Sequence, residues 1–386
     1  MTDQKQQWTR REWLQFVGGT TLMASLPTIS EAAENVQNAD SLLEPIRVTS
    51  DLPALAAVTL KGGKVISQGA VGFRKAGNPT RVTTKDKFHL GSCTKAMTAH
   101  LCAVLLEEKR LDRETTVLKA FPEMAKTMHS AYHEVTLDHL LSHRSGFPGE
   151  SWLKGHDFGE TRRFSGSPVE QRMAYLRAIL KEAPDAKPGE KYIYSNRNFT
   201  VAGVLAERAA KTSWEMLIEQ KVFRPLKIGS AGFGAMGLFG KVDQPLQHLL
   251  DGEKRVVIEP GPDADNPPSL APAGTVHMAL EDWAKFVQDH LDGLRGEKGT
   301  LTSDLYRYLH TPLFGGEYMG GWVKTKREWG GGNVYTHTGS NTQNFAVVWM
   351  APTKNFAVLI ATNQGGDAAA QACDQAAAKL IQTYLL

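Results

Sequence analysis

The 386-residue chain is poor in cysteine, in charge of one sign and in long apolar runs. Its three cysteines, Cys93, Cys102 and Cys373, are odd in number, so they cannot form a complete disulfide framework. None of their spacings is a zinc pattern. Cys93 and Cys102 fall on one predicted helix, too far apart along it to bridge each other. Three free thiols behaving as small hydrophobes are expected. Lys and Arg number 44 against 41 Asp and Glu, a net charge of +3 at pH 7. With no charge runs, so small an excess gives no electrostatic basis for nucleic-acid binding.

Several chemical signatures are also missing. There is no GxSxG, which argues against an α/β-hydrolase elbow. His133-Glu134 begins like HExxH, but Leu137 stands where the second His must be. His129/His133 and His139/His143 are spaced i,i+4, yet no carboxylate or cysteine completes a metal set, so they read as capping or surface histidines. Gly232-Phe-Gly234-Ala-Met-Gly237 matches GxGxxG, but no strand run leads into it, and Gly240 and Pro245 break any helix after it. It reads as a loop rather than a dinucleotide site. No metal and no cofactor is expected.

What is present is a globular composition, 41% hydrophobic and 22% charged, on a chain too long for a disulfide- or metal-stapled scaffold. The N-terminus carries Arg10-Arg11, then an uncharged stretch from Trp13 to Ser30 rich in Gly and Thr, then the small-residue end Ser30-Glu31-Ala32. This pattern resembles a twin-arginine export signal over residues 1–32. Gln15 and the Gly, Thr and Ser content dilute the apolar run too far for a stable membrane span. The expected location is therefore periplasmic or secreted, with the export machinery as a partner and no stable membrane anchor after cleavage.

Along the remaining chain, Leu52 to Phe73 reads as a hairpin turning at Lys61-Gly-Gly-Lys64. A helical pattern runs from Ala96 to Arg110. Ser167-Pro168-Val169-Glu170 is a capping box with Pro at N1, and Thr212-Ser213-Trp214-Glu215 repeats the box. Asn198 to Ala210 and Leu280 to Leu291 read as amphipathic helices. Pro/Gly/Asp-rich loop dominates from Gly229 to Gly274. Val334 to His337, Asn344 to Met350 and Phe356 to Thr362 read as strands of an antiparallel meander, and Asp367 to Leu386 as a final helix. The order of strands, helices, strands and helix predicts an α/β (α+β) fold. An antiparallel sheet built from residues 45–115 and 270–386 is flanked by helices, with a mainly helical domain inserted at 116–269.

Ser-x-x-Lys occurs at Ser92-Cys93-Thr94-Lys95 and at Ser151-Trp152-Leu153-Lys154. The second lies in a Gly/Pro loop, where nothing fixes the Lys beside the Ser. The first stands at a helix start, where i and i+3 share a face and the Lys amine can reach the hydroxyl. The helix N-terminus there offers N–H groups to a developing oxyanion. The plainer alternative is that Ser92 merely caps its helix. Further on come Tyr194-Ser195-Asn196 and His337-Thr338-Gly339-Ser340.

Ser-x-x-Lys, Tyr-x-Asn and Lys/His-Thr-Gly, in that order, resemble the serine β-lactamase and penicillin-binding-protein superfamily. The branch most resembled holds the class C β-lactamases, D-Ala-D-Ala carboxypeptidases and β-lactamase-fold esterases. Leu140-Leu-Ser-His-Arg-Ser-Gly146 and Pro272-Ala-Gly-Thr275 support the resemblance, which covers roughly residues 45–386. It implies acyl transfer from a small-molecule or peptide substrate through a covalent intermediate. Ser92 would be the nucleophile, Lys95 the base in its neutral form and Tyr194 the proton relay. Asn196 would orient substrate or Lys95. The backbone N–H groups of Ser92 and Ser340 would form the oxyanion hole. The strand His337, Thr338, Gly339, Ser340 would hold an extended substrate, and Asn341 could touch an acyl or carboxyl group. Many relatives place Lys where His337 stands. A neutral His there implies weaker selection for a substrate carboxylate, and hence ester or D-peptide hydrolysis ahead of β-lactam hydrolysis. A true β-lactamase and a penicillin-binding sensor without turnover remain as alternatives.

Overall fold

A computed structural model describes residues 36–149 and 164–386. The expected export signal, with Arg10 and Arg11, and the second Ser-x-x-Lys, Ser151 to Lys154, lie outside the described residues. Val36–Leu386 form one compact unit.

Thirteen strands can be numbered among the described residues. β1 (Gln37–Asn38), β2 (Ala54–Lys61) and β3 (Lys64–Gly72) come from the N-terminal end of the unit. β9 (Tyr318–Met319), β10 (Trp322–Arg327), β11 (Gly332–Ser340), β12 (Phe345–Ala351) and β13 (Phe356–Thr362) come from the C-terminal end. Together they make one sheet in the order β1-β3-β2-β13-β12-β11-β10-β9. The antiparallel β2–β13 pair joins the two ends of the chain in register from Lys61↔Phe356 to Ala56↔Ala361.

Both faces of this sheet are covered, which is why β13 is buried throughout and apolar from Phe356 to Ala361 instead of alternating. Phe356, Val358 and Ile360 face the terminal helices, α1 (Asp40–Thr49) and the helix Asp367–Tyr384, in one core. Ala357, Leu359 and Ala361 face Trp283, Phe286, Val287 and Leu291 of the helix Leu280–Leu294 in a second. A third core packs the helices between residues 117 and 205, including Phe121, Tyr132, Leu140, Leu176 and Phe199.

The helix α2 (Thr94–Glu107) runs between the second and third cores, with Met97, Leu101 and Leu105 on one side and Ala99, Cys102 and Ala103 on the other. Eleven of its 14 residues are buried. Its buried polar side chains are therefore paired. Thr94 Oγ1 accepts from Val276 N at 3.1 Å, and Thr98 Oγ1 donates to Pro272 O at 2.7 Å.

The observed elements differ from the expected ones at four places. The stretch read as loop between 229 and 274 contains β5 (Gly232–Phe233) and a hairpin of β6 (Gln247–Asp251) and β7 (Lys254–Ile258). β5 and β4 (Lys87–His89) both pair with β8 (Val276–Ala279), a small sheet assembled from segments distant in sequence. The capping box at 167–170 is present, but at 212–215 the register slips by one. Ser213 is the N-cap there, accepting from Met216 N, and Glu215 turns to Arg172 instead of closing the box. Finally, Cys93 lies in a 3-10 turn, Gly91–Cys93, ahead of α2; all three cysteines are free and buried.

Arg172 is fully buried and ties three helices together. Its guanidinium donates to Glu207 Oε1 at 3.1 and 2.6 Å, to Glu215 at 2.7 and 2.8 Å, and to Pro268 O at 2.9 Å. Glu207 sits on the helix Asn196–Ala210, whose first turn belongs to the site described next. Replacing the cation leaves two carboxylates facing each other with little water to hydrate them. Arg172→Met is expected to lower stability by about 3–5 kcal/mol, read as a lower urea midpoint at unchanged slope.

Candidate active site

The 3-10 turn Gly91–Cys93 and the first turn of α2 place Ser92 and Lys95 on one face, and Lys95 Nζ lies 3.0 Å from Ser92 Oγ. Neither turn uses a side-chain cap, so Ser92 does not serve as one. Lys95 is fully buried. Its amine also lies 2.6 Å from Asn196 Oδ1 and 2.8 Å from Ala273 O. Both of these oxygens can only accept. In a neutral amine they take the two N–H groups, and the lone pair is left for the Ser92 hydroxyl. In an ammonium all three oxygens are acceptors. The same geometry therefore suits Lys95 in either protonation state.

Asn196 is the first residue of the helix Asn196–Ala210, with Ser195 as its N-cap in extended conformation. This turn swings Tyr194 beside Lys95, whose Nζ stands 5.0 Å from the phenol ring centroid. His143, expected at the surface or at a cap, is instead fully buried against this segment. Its carbonyl accepts from Ile193 N at 2.9 Å, and its Nδ1 accepts from Ser195 N at 3.3 Å and Asn198 Nδ2 at 3.1 Å. Two donors on Nδ1 put the ring proton on Nε2. The ring lies 4.5 Å from that of Tyr194 and 4.6 Å from that of Tyr318. Burial, then the charges of Lys95 and His337, push its pKa well below the ordinary imidazole value. His129 and His139 do act as caps, accepting from Ala131 N and Thr136 N.

β11 supplies the opposite wall. β12 pairs with it from Tyr335 to Ser340, but β10 pairs with it only from Gly332 to Thr336. Among the described residues no strand pairs with the other edge of 337–340. Thr338 and Ser340 are exposed, and His337 points into the interior. Its Nδ1 lies 2.6 Å from Thr338 O, an acceptor, so Nδ1 carries the proton and Nε2 accepts from the Tyr318 hydroxyl at 3.2 Å. Burial, then the Lys95 charge, push His337 down to about 3. It is neutral at pH 7 and brings no cation to a substrate.

The turn and the strand meet backbone to backbone. A Cβ on Gly91 would stand 2.3 Å from Ser340 N, and one on Gly339 would stand 2.0 Å from Leu90 O and 2.8 Å from Ser92 N. The absence of a side chain at Gly91 and Gly339 allows this approach of the Ser92 turn to the strand that bears Ser340. The Cys93 thiol, next to Ser92, is buried, and burial raises its pKa far above neutrality. It is not a competing nucleophile.

Asn341 could have touched a substrate acyl or carboxyl group, but its amide donates inside the protein, to Gln247 Oε1 and Asp265 Oδ1 at 2.8 Å each. Gly91, Ala273, His143 and Tyr318 carry no signature of their own. Ala273 and His143 lie within the supporting stretches 272–275 and 140–146, and Gly91 directly precedes Ser-x-x-Lys. Among the described residues, only His100, Asp289 and His290 group closely enough to hold a metal ion. Within the group His100 Nδ1 lies 3.1 Å from His290 Nε2; outside it His100 Nε2 lies 3.2 Å from Thr300 Oγ1 and His290 Nδ1 3.3 Å from His310 Nε2.

The family model for Beta-lactamase matches residues 39–382. The chain is 23% identical over 335 residues to Protein flp of Staphylococcus aureus; the match covers 86% of this chain and 63% of that protein. It is 25% identical to Penicillin-binding protein 4 of Amycolatopsis lactamdurans, over 83% of this chain and 84% of that one. Among solved structures, the octameric penicillin-binding protein homologue from Pyrococcus abyssi aligns with a TM-score of 0.73 at 22% identity, covering 89% of this chain and 76% of that one.

Gly339→Ala is expected to wedge β11 away from the Ser92 turn and to lower kcat/KM by about 100-fold or more, the loss of one oxyanion donor. Gly229→Ala, where nothing lies within 4 Å of the added Cβ, is the control and should leave turnover unchanged.

Proposed function

The chain belongs to the β-lactamase family, and we propose that it is an exported serine hydrolase that cleaves an ester or amide through an acyl-enzyme on Ser92. The observation that carries this reading is the buried Lys95 amine, 3.0 Å from Ser92 Oγ, with the acceptor oxygens Asn196 Oδ1 and Ala273 O also within hydrogen-bond distance. Lys95 takes the hydroxyl proton as Ser92 Oγ bonds to the substrate carbonyl carbon. The carbonyl electron pair moves onto oxygen, facing the Ser92 and Ser340 amides. Collapse expels the leaving group, which takes a proton by way of Tyr194. Water then attacks the acyl-enzyme, and Ser92 recovers its proton.

The neutral, inward-facing His337 favours a substrate that needs no cation at this strand. Esters and D-peptide amides fit that condition better than the carboxylate-bearing β-lactams. Hydrolysis of a chromogenic cephalosporin and of short-chain p-nitrophenyl esters distinguishes these classes. Ester turnover should dominate, Ser92→Ala should lower it by at least about 10⁴-fold, and intact mass should show a transient acyl adduct. Turnover that survives Ser92→Ala overturns the reading. A penicillin adduct on Ser92 that never leaves, with no ester turnover, makes the protein a sensor instead.

Export rests on Arg10-Arg11 and the small-residue end at Ala32. Changing Arg10 and Arg11 together to Lys should retain the precursor in the cytoplasm by cell fractionation. Unchanged secretion counts against a twin-arginine route.

A further inference from the structure

Behind the glycine contact lies a buried polar chain that the acyl-transfer steps do not use. It begins at Gly91, whose N–H donates to His89 Nδ1 at 3.0 Å. His89 Nε2 lies 2.9 Å from Asp265 Oδ2. Asp265 Oδ1 accepts from Asn341 Nδ2 at 2.8 Å. Asn341 follows Ser340 directly, and Gly91 precedes Ser92 directly. His89, Asp265 and Asn341 are all buried.

The proton positions follow from the ends of the chain. A backbone N–H can only donate, so His89 Nδ1 is an acceptor and the ring proton sits on Nε2. Nε2 donates it to Asp265. The Asn341 amide also donates to Asp265. One carboxylate therefore accepts from both sides, each with a charge-assisted bond. Gln247 completes the Asn341 end, its Oε1 accepting from Asn341 at 2.8 Å and from Asn344 at 2.6 Å. The turn beyond Ser340 is closed by Ser340 Oγ, which donates to Asn344 O and accepts from Thr342 N. The main chain at His89 is anchored, because β4 pairs His89 with His277 of β8 and Leu90 N donates to Val276 O.

We infer that His89, Asp265 and Asn341 are positioning residues, one clamp that sets the Ser92 and Ser340 amides relative to each other before the oxyanion forms. The inference rests on the hydrolase reading of Ser92. It assigns a purpose to a carboxylate buried on a loop. An oxyanion hole works through donors aimed in advance, so a clamp between the turn and the strand that supply them acts on kcat and little on substrate binding.

Asp265→Asn is the direct test. Asn keeps one acceptor and adds a donor, so it confronts either Asn341 Nδ2–H or His89 Nε2–H. In the second case His89 must move its proton to Nδ1, against the Gly91 N–H. Ester kcat should fall by about 30- to 100-fold with KM changed by less than about threefold. Affinity for phenylboronic acid, whose Ser92 adduct places a tetrahedral oxygen in the hole, should fall in parallel.

His89→Gln and His89→Leu form a second, independent pair. Gln can accept from Gly91 and donate to Asp265, so it should recover most of the kcat that Leu loses. A kcat for Asp265→Asn within about threefold of the parent overturns the clamp. So does a Gln variant no better than Leu while both remain folded by circular dichroism. If Asp265→Asn does not fold, the Gln and Leu pair decides alone. Turnover abolished by Ser92→Ala but untouched by these variants removes only the clamp; turnover that survives Ser92→Ala removes the hydrolase reading itself.

Discussion

At the centre of the molecule two backbones touch with no side chain between them, Gly91 against Ser340 and Gly339 against Leu90 and Ser92. The rest of the architecture can be understood from the demands of that contact. A strand end must be brought to a helix start that lies more than 240 residues earlier in the chain, and it must be held there against thermal motion. The sheet supplies the first requirement. β2 and β13 zip the two chain ends together over six residue pairs, so the N-terminal hairpin and the C-terminal meander become one rigid body. The buried cores on both faces supply the second, since interiors packed this densely transmit strain and resist sliding.

The price of this arrangement falls on α2. A helix surrounded by protein on all sides must carry its polar residues, Thr94, Lys95, Thr98 and His100, where water is scarce. Each is matched by a partner from another segment, and two of those partners, Pro272 and Ala273, come from the same short stretch. That stretch also receives Asn266 Nδ2 at Gly274 O and leads into β8, whose Val276 N bonds to Thr94. A segment of four residues thus carries both the electrostatic satisfaction of Lys95 and the anchoring of the helix that bears it. The tightly bound buried ion triad at Arg172 performs a similar service one layer out, fixing the helix that begins at Asn196.

Local chemistry was legible in the amino-acid sequence wherever a short spacing determines it. Ser92 and Lys95 meet because i and i+3 share a helix face. The hairpin, the capping box at Ser167 and the C-terminal strands follow from turn residues, side-chain oxygens and apolar runs. What escaped depends on partners far along the chain. Glu215 completes a capping box by spacing, yet it bonds to Arg172, 43 residues away. His143 looks like a surface residue in a polar stretch until Tyr194, Tyr318 and Asn198 enclose it. Asn341 looks free for substrate because nothing nearby in sequence shows Gln247 or Asp265 waiting for its amide. The hairpin of β6 and β7 was hidden among the glycines and prolines that flank it, and its Gln247 is half of what holds Asn341.

The aromatic floor of the site gives the electrostatics their sign. Tyr194, Tyr318 and Phe199 crowd two imidazoles, His143 and His337, into a space with one amine. Burial makes each imidazole hard to charge, and the nearby Lys95 charge makes it harder still. The histidines accordingly act as fixed dipoles with settled tautomers. His143 offers Nδ1 as an acceptor to the Tyr194 segment, and His337 offers Nε2 to Tyr318. A lysine in place of His337 would add a second cation beside the first and would have to be hydrated or paired in the same closed space. At this point His337 serves as a neutral partner for Tyr318 and not as a charge.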